Sequence, residues 1–443
     1  MQVNFLDGKI LPALIRFAIP VFFSLIFQQL YSTVDTIIIG HTLGETSLAA
    51  MGSAAAVYDL FLGFTNGMGS GLAIVTARNF GTGAHKQLKK TTAAALVIAL
   101  VTSLLVTIIA YASLNPFLRF LKTEETVLPE AYAYVSTIVL FFAVSLAYNL
   151  CSGLMRAIGN SVMPLIFLMI SSISNIGLDL LFILVFKMGI RGAAIATVIA
   201  QVISVICCII YILKKVPLLI PEKEHFKYDP ALYKEMVSQG ISMGLMSCIV
   251  QSGTAILQSG INSLGYLVVA GHVAARKLFS VFMMFSIGMM QAVNTFVSQN
   301  FGANQADRIR KGMKIAYIYN VILFCILGVL VTFIAPTMIR LISGSDEAVI
   351  LQNGTRYLRF VVPCMAILGL LNATRTALQA IGQKILPVIS SVMELIGKIL
   401  FVIFFIPKFG YNAVIVCEPV MWVLMDIELL LAFWLNPYIR KKK

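Results

Sequence analysis

The chain has 443 residues, of which 59% are hydrophobic and only 12% are charged, and its formal net charge is +14. Soluble globular domains carry about 25% charged residues, so this composition excludes a water-soluble globular protein. The net positive charge brings nucleic-acid binding into consideration, but the positions of the basic residues argue against it.

The long apolar runs predict an all-α polytopic membrane protein, because a hydrocarbon core ~30 Å thick requires roughly 20 mostly apolar residues in each spanning helix. The first run is too long for a signal-peptide core and contains Asp35, so no cleaved leader is expected. Twelve transmembrane helices are predicted, at residues 17–39, 54–77, 91–114, 132–154, 162–185, 192–213, 238–260, 274–297, 315–336, 355–376, 386–406 and 412–435.

Lys and Arg are concentrated in alternate loops and in the "RKKK" at the carboxyl end. Basic residues favour the cytoplasmic side of a membrane. We therefore expect a multi-pass protein of the cell (plasma or inner) membrane with both termini in the cytoplasm, which requires an even number of spans. The basic tail is interpreted as a topology signal and a contact for anionic lipid, with no nucleic-acid partner.

The sequence repeats itself at an offset of 221 to 223 residues. "GMGSGLAIVTARNFGTGAHKQLKK" (67–90) is similar to "GMMQAVNTFVSQNFGANQADRIRK" (288–311), and "RAIGNSVMP" (156–164) is similar to "QAIGQKILP" (379–387). Matches that keep the same order and nearly the same spacing indicate a duplicated unit rather than shared hydrophobicity.

The repeat predicts an amino-terminal six-helix lobe at 1–213 and a carboxyl-terminal six-helix lobe at 236–443, joined by a cytoplasmic linker at 214–235. Because six is even, both lobes enter the membrane in the same orientation. We expect them to be related by a pseudo-two-fold axis along the membrane normal. Parallel repeats of this kind are a transporter architecture that works by alternating access.

Four polar residues in the first half form a candidate cation site. Asp35 lies on the first helix, Asn175 and Asp179 lie on one face of the fifth, and Thr197 lies on the sixth. Ionisable residues within spans are by default functional or paired. These oxygen ligands suit Na⁺, and two carboxylates in a poorly hydrated pocket cannot easily both ionise, so they can also hold a proton. The alternative is a protonated aspartate that only ties helices together.

The sequence resembles the multidrug and toxic compound extrusion (MATE) family over nearly the whole chain, and most of all its DinF-like branch. The pattern "VDTIIIG…LG…LAA" (34–50), the loops "RNFGTG" and "QNFGAN", and "RAIGNSVMP" carry the resemblance. It implies an antiporter that exports bulky, mostly cationic organic compounds in exchange for H⁺ or Na⁺. A monomer without a cofactor is expected. On the resemblance, the branch's cation-site positions are Asp35, Asn175, Asp179 and Thr197.

The second half departs from other branches of the family, which place acidic residues in the seventh and tenth helices. The seventh helix of this chain offers only Gln251, and the tenth offers Asn372 and Arg375. A cation site of that kind is therefore not expected in the second half, and the two amides are candidates for a substrate cavity or an interlobe contact.

Three charged residues near the carboxyl end are further candidates for the substrate cavity or an interlobe contact. Glu394 and Lys398 lie four residues apart on the eleventh helix, which suits an ion pair within the helix. Glu418 occupies the position that corresponds, in the repeat, to Thr197. The alternative is that Glu394 and Lys398 only neutralise each other inside a watery cavity. No role is assigned to the last two carboxylates, Asp426 and Glu428.

Two other classes of function are considered. A lipid-linked precursor flippase of a related superfamily would use a strongly cationic cavity, whereas the candidate cavity residues of this chain are mostly acidic. A membrane-embedded enzyme would need a nucleophile–base pair or metal ligands, and the sequence contains no HExxH motif and no Cys/His cluster. A transporter without catalytic residues is the prediction.

Overall fold

The computed structural model describes residues 2–120 and 125–440. The last three residues of the basic tail, 441–443, lie outside the described residues. Every regular element within these ranges is an α, 3-10 or π helix. The first half contains helices α1 Ile10–Leu43, α2 Glu45–Gly81, α3 His85–Phe120, α4 Leu128–Leu140, α5 Phe142–Ala157, α6 Val162–Leu180 and α7 Gly189–Lys215.

The second half begins after a linker that contains the short 3-10 turns Pro217–Leu219 and Lys223–Phe226. Its helices are α8 Pro230–Asn262, α9 Tyr266–Gly302, α10 Ala306–Ser343, α11 Ala348–Ala380, α12 Ile385–Leu400, α13 Ile406–Phe409, α14 Tyr411–Trp434 and α15 Pro437–Arg440.

The described residues include ten helices that are long and apolar enough to cross a membrane, and the bent pair α4–α5 makes eleven such passages. A twelfth helix, α14, has 24 residues but contains three carboxylates, Glu418, Asp426 and Glu428. Each predicted span coincides with one of these twelve passages. The prediction of an all-α polytopic membrane protein is confirmed.

The predicted span 132–154 is not one straight helix, because α4 and α5 meet at an angle of 49°. The backbone of Phe141 leaves the helical region there, with φ −102° and ψ 19°. Its N–H group bonds to the carbonyl oxygen of Ile138, three residues earlier, over 3.2 Å. A local turn of the 3-10 type therefore replaces one turn of α-helix.

The fifth span of each half ends in a π segment. Leu181–Val185 continues α6, and Phe401–Phe405 continues α12. Single π turns within α-helices occur frequently at functional sites. Their presence at corresponding places in the two halves agrees with the repeat seen in the sequence.

The chain forms two compact units, Met1–Val3 with Phe23–Ser247 and Asn4–Phe22 with Cys248–Lys443. Both unit boundaries fall inside a long helix, α1 or α8, whereas the predicted lobe boundary lies in the linker. The division into lobes at 213 and 236 stays a prediction.

The first part of α8 belongs to the first unit because it packs closely on α2. A Cβ atom at Gly67 would lie 2.5 Å from the carbonyl oxygen of Met243, and one at Gly71 would lie 2.6 Å from the Cα atom of Gly240. Small residues at these positions allow the two helix backbones to approach each other, as in other membrane helix pairs.

Ion pairs fasten the linker and the start of α8 to the same unit. Arg78 of α2 lies 2.7 Å from Glu235 of α8, and Lys89 of α3 lies 2.5 Å from Glu222 of the linker. The hydrogen bond and the charge of Lys89 hold the pKa of the exposed Glu222 carboxyl group below its usual range.

Residues 4–22 belong to the second unit because they pack on its helices. The ring of Phe5 lies 5.3 Å from that of Phe17 and 5.8 Å from that of Phe296 on α9. Arg308 of α10 donates hydrogen bonds to three backbone carbonyl groups of the segment before α1, at 2.8 to 3.0 Å. The amino-terminal segment is therefore fixed by both apolar and polar contacts.

Replacing Gly67 by Ala should destabilise the protein by about 1–3 kcal/mol, because the added methyl group meets a backbone carbonyl and the helices must separate. The matched control is Gly177→Ala in α6, where a Cβ atom meets nothing within 4 Å. That control should be neutral or slightly stabilising, since Ala favours a helix over Gly. Thermal unfolding in detergent compares the two variants, and equal midpoints would contradict the close α2–α8 packing.

Candidate functional site

The two aspartates of the candidate cation site lie beside each other in the first unit. Asp35 on α1 is 5% exposed, and Asp179 in the last turn of α6 is 0% exposed. Their carboxyl groups are close enough to share a hydrogen bond when one of them carries a proton. Two ionised carboxylates offer only acceptors. Accordingly, Oδ1 of Asp35 and both carboxyl oxygens of Asp179 have no hydrogen-bond partner among the described residues.

The amide and the hydroxyl of the predicted set also meet. Nδ2 of Asn175 donates a hydrogen bond to Oγ1 of Thr197 over 3.4 Å, which links α6 to α7. Asn175 precedes Asp179 by one helical turn and therefore shares its helix face. The Oδ1 atom of Asn175 is buried and has no partner within the described part of the chain. The four predicted residues thus form two adjoining pairs, one of carboxyl groups and one of an amide with a hydroxyl.

These two pairs lie between an apolar cluster and a polar cavity. Ile39 and Ile183, one turn beyond the two aspartates, are 0% and 4% exposed and belong to the same apolar cluster. Asn175 and Thr197 line a cavity whose empty space, counted together with the solvent at its open side, is about 580 Å³. The carboxyl pair is therefore shielded on one side, while its amide and hydroxyl neighbours face the cavity.

Most of the cavity wall is not predicted from the sequence. It consists mainly of neutral polar side chains, among them Gln28, Tyr31, Asn66, Ser145, Tyr148, Asn149, Ser171, Ser172, Gln201 and Ser204. The sequence prediction relies on charged groups, which stand out in apolar spans, and these side chains carry no charge. The signal that could have found them is the recurrence of amides in apolar helices, because an amide in lipid without a partner is costly.

A second polar group, here called the ion-pair network, lies in the second unit. Nζ of Lys398 is 2.9 Å from Oε1 of Glu394 and 3.8 Å from Oε1 of Glu418. Nη1 of Arg276 is 2.9 Å from Oε2 of Glu418, and Nη2 of Arg375 is 3.9 Å from Oε2 of Glu394. Each of these carboxylates therefore has two cationic neighbours.

The second half contains two further candidate amides and the two carboxylates to which no role is assigned, Asp426 and Glu428. Gln251 is exposed on α8, and Asn372 donates a hydrogen bond to Oγ of Ser286 over 3.3 Å. Neither amide bonds to the network. Asp426 and Glu428 each have one buried carboxyl oxygen that lacks a hydrogen-bond partner among the described residues.

Arg276 is the member of the network that the sequence analysis does not identify. It lies two residues inside the predicted span 274–297, where a cation ordinarily reaches out to the membrane surface. The helix α9 begins at Tyr266, well before the predicted span, so Arg276 lies within the helix instead of at its end. The longer helix allows its side chain to meet Glu418 on α14.

Eleven apolar helical passages among the described residues, the further long helix α14, a duplicated half and polar groups enclosed within the spans are typical of a polytopic membrane transporter. The MatE family model matches residues 20–181 and again residues 243–404, which together are more than half of the chain. The chain therefore belongs to this family of multidrug and toxic compound extrusion transporters, and it is not an enzyme. Two matches of one model agree with the internal repeat.

Individual relatives are similar over most of their length. The probable multidrug resistance protein YpnP of Bacillus subtilis (strain 168) is 26% identical over 360 residues, 81% of this chain and 80% of that protein. The multidrug export protein MepA of Staphylococcus aureus (strain N315) is 21% identical over 428 residues, 97% of this chain and 93% of that protein.

A solved structure supports the fold. It is described as the outward-facing conformation of a multidrug resistance MATE family transporter, and its TM-score is 0.90 at 20% sequence identity. The likeness covers 100% of this chain and 99% of that chain. At this identity the comparison shows the fold alone.

Glu394→Gln should lower the free energy of unfolding by about 3–5 kcal/mol, because it leaves the buried ammonium group of Lys398 without its nearest partner. The double variant Glu394→Gln/Lys398→Met should recover much of that loss, because it removes both charges. The control Asp346→Asn breaks the exposed ion pair with Arg340 and should cost no more than about 1 kcal/mol. Unfolding in detergent measures all three, and equal losses in Glu394→Gln and the control would contradict a buried, structural ion pair.

Proposed function

We propose that the chain is a secondary active antiporter that exports bulky, mostly cationic organic compounds in exchange for H⁺ or Na⁺. The observation that carries the proposal is the buried pair Asp35 and Asp179, three of whose oxygens lack partners among the described residues. The names of the relatives YpnP and MepA, a multidrug resistance protein and a multidrug export protein, support export of varied compounds.

The carboxyl pair supports uptake of a small cation. Two ionised carboxylates side by side repel each other, and burial away from water strengthens the repulsion. One proton shared between Asp35 and Asp179 removes it and supplies the missing hydrogen bond. A Na⁺ ion would instead be held by oxygens, and the available oxygens include Oδ1 of Asn175 and Oγ1 of Thr197 beside the two carboxylates. Either ion fits this set of groups.

The polar cavity supports binding of an organic compound next to the ion. Its wall combines polar side chains with the apolar Leu62, Leu168 and Ala200, the mixture that is typical of sites for small organic compounds. Tyr31 and Tyr148 offer aromatic faces, which attract organic cations. Asn175 and Thr197 belong both to the cavity wall and to the candidate ion site. An ion and a compound would therefore act on the same contact between α6 and α7.

Exchange requires that the two ligands favour different conformations, because a ligand shifts an equilibrium only through its different affinity for the two states. We propose that ion binding at the carboxyl pair favours one state of the first unit and that the compound favours the other. The basic loops support a chain that lies in the cell membrane with both termini in the cytoplasm. The assignment to the DinF-like branch and the monomeric state are parts of the same proposal.

Asp35→Asn and Asp179→Asn should each lower gradient-driven ethidium efflux by roughly tenfold or more, because each removes one ionisable oxygen ligand, worth about 1.5–3 kcal/mol, from the pair. The measurement is efflux from proteoliposomes in which a Na⁺ gradient or a pH gradient is imposed separately. The gradient that drives efflux in the unaltered protein identifies the coupling ion.

The control is Asp59→Asn, which removes an exposed aspartate from α2 and should leave efflux nearly unchanged. Unaltered efflux in both Asp35→Asn and Asp179→Asn would refute the coupling role of the pair. Scrambling of a fluorescent polyprenyl lipid, without ethidium efflux, would instead favour the flippase alternative.

A further inference from the structure

A second cavity lies in the second unit, away from the carboxyl pair. It lies among α8, α9, α11 and α14, and its empty space, counted together with the solvent at its open side, is about 260 Å³. Its apolar wall is formed by Leu257, Ile261 and Val414. Its polar lining residues are Thr254, Gln258, His272, Arg276, Tyr357 and Glu418.

The charged group that this cavity presents is the guanidinium group of Arg276. Its side chain is 28% exposed, whereas the side chains of Glu418 and Lys398 are 9% and 2% exposed. Lys398 and its partner Glu394 do not line the cavity. A compound that enters therefore meets a cation, although the network behind it contains carboxylates.

Within the described residues, hydrogen bonds hold the Arg276 guanidinium group through one nitrogen atom, Nη1. Nη1 of Arg276 donates hydrogen bonds to Oε2 of Glu418 over 2.9 Å and to the Tyr357 hydroxyl over 3.2 Å. The plane of the group lies over the ring of Phe279, 4.4 Å from its centre. Nε and Nη2 donate no hydrogen bond within the described residues. Three N–H groups, one on Nε and two on Nη2, thus remain without a hydrogen-bond partner among the described residues.

The carboxylate of Glu418, which also lines the cavity, already has hydrogen-bond donors and cations around it. Glu418 accepts hydrogen bonds from Arg276 and from the hydroxyl of Tyr357, and Lys398 stands 3.8 Å away. Gly253 makes room for this lysine, since a Cβ atom there would lie 3.2 Å from Cδ of Lys398. A cationic compound in the cavity would therefore approach Arg276 without a free carboxylate to bind.

We propose that this cavity binds the carboxylate group of organic anions or zwitterions through the Nε and Nη2 edge of Arg276. A guanidinium edge matches a carboxylate with two parallel hydrogen bonds, which a lysine cannot reproduce. Leu257, Ile261 and Val414 line the same cavity and would contact the apolar part of the compound. The binding site stands independently of ion coupling, and only export of the bound compound rests on the proposed function.

The chain contains its own reporter for this site. The chain has two tryptophans, and the ring of Trp422 is stacked on that of Phe279 with 6.4 Å between the ring centres. The guanidinium group of Arg276 also lies over the Phe279 ring. In a Trp434→Phe variant, Trp422 is the only source of indole fluorescence. The probes are cyclohexanecarboxylate, cyclohexanecarboxamide and cyclohexylammonium, which share one ring and differ in charge.

The experiment titrates the purified full chain in detergent with each probe. We expect a saturable change in Trp422 fluorescence with the carboxylate, and none with the amide or the ammonium compound. Arg276→Lys keeps the positive charge and the pairing with Glu418, but a lysine cannot form two parallel hydrogen bonds with one carboxylate. This variant should therefore bind the carboxylate about tenfold more weakly. Arg276→Gln combined with Glu418→Gln should abolish the response without leaving a buried carboxylate unpaired.

The matched control is Arg359→Lys on α11, an exposed arginine that bonds the carbonyl oxygen of Thr332 and should leave the titration unchanged. Unchanged melting temperatures show that each variant is folded, and Arg276→Lys decides the question if the double variant does not fold. An equal response to the amide, a response to the ammonium compound, or unaltered carboxylate affinity in Arg276→Lys would overturn the proposal. Because no ion gradient is used, its failure is distinct from a failure of ion coupling.

Discussion

An ionised group inside a membrane-spanning helix requires a compensating charge or hydrogen bond, and this requirement organises the polar interior of both units. In the first unit, Asp35 and Asp179 have each other as nearest ionisable neighbours, and two carboxylates do not satisfy one another. In the second unit, Glu394 and Glu418 are surrounded by Lys398, Arg276 and Arg375 at 2.9 to 3.9 Å. The first arrangement has carboxyl oxygens without partners among the described residues, which is the basis for proposing an added cation there, and the second contains its own cations.

The packing of the helices makes both arrangements possible. Glycines let α8 approach α2 within the first unit, and Gly253 leaves space for the side chain of Lys398 within the second. Asp179 lies two residues before the π segment Leu181–Val185, and Lys398 lies three residues before Phe401–Phe405. In both halves the key charged group therefore lies where the regular α-helical hydrogen bonding changes, at the end of the fifth span.

The sequence predicts the spans, the repeat and the carboxyl pair because each leaves a mark that does not depend on tertiary packing. A run of twenty apolar residues and an aspartate within it, such as Asp35, are both visible along one helix. The wall of the polar cavity is different, because Asn66 and Gln201 carry no charge and do not stand out in the sequence. They are recognised as neighbours only when the fold brings α2 and α7 together. The bend at Phe141 also cannot be predicted from the sequence, because no Pro or Gly, the usual causes of a helix bend, stands next to it.

Arg276 illustrates a further limit of prediction from sequence. Its partners Tyr357 and Glu418 lie 81 and 142 residues away along the chain, on α11 and α14. No local spacing connects these three residues, whereas Glu394 and Lys398 lie on one helix and are recognised as an i,i+4 pair. Pairs within a helix can be predicted from the sequence, while contacts between helices require the fold.

The duplicated halves have diverged most clearly at one equivalent position, where the first half has Thr197 and the second has Glu418. A proton that binds to the carboxyl pair near Thr197 removes a repulsion. A proton that binds to Glu418 would remove the carboxylate that compensates Arg276 and would leave this cation without its ion-pair partner in a poorly hydrated interior, whereas Lys398 would keep Glu394. On the proposed coupling role of the carboxyl pair, uptake of a proton would stabilise the polar group of the first half, whereas protonation of Glu418 would destabilise that of the second. The same difference favours anions in the second half, because Arg276 stays charged as long as Glu418 stays ionised beside it.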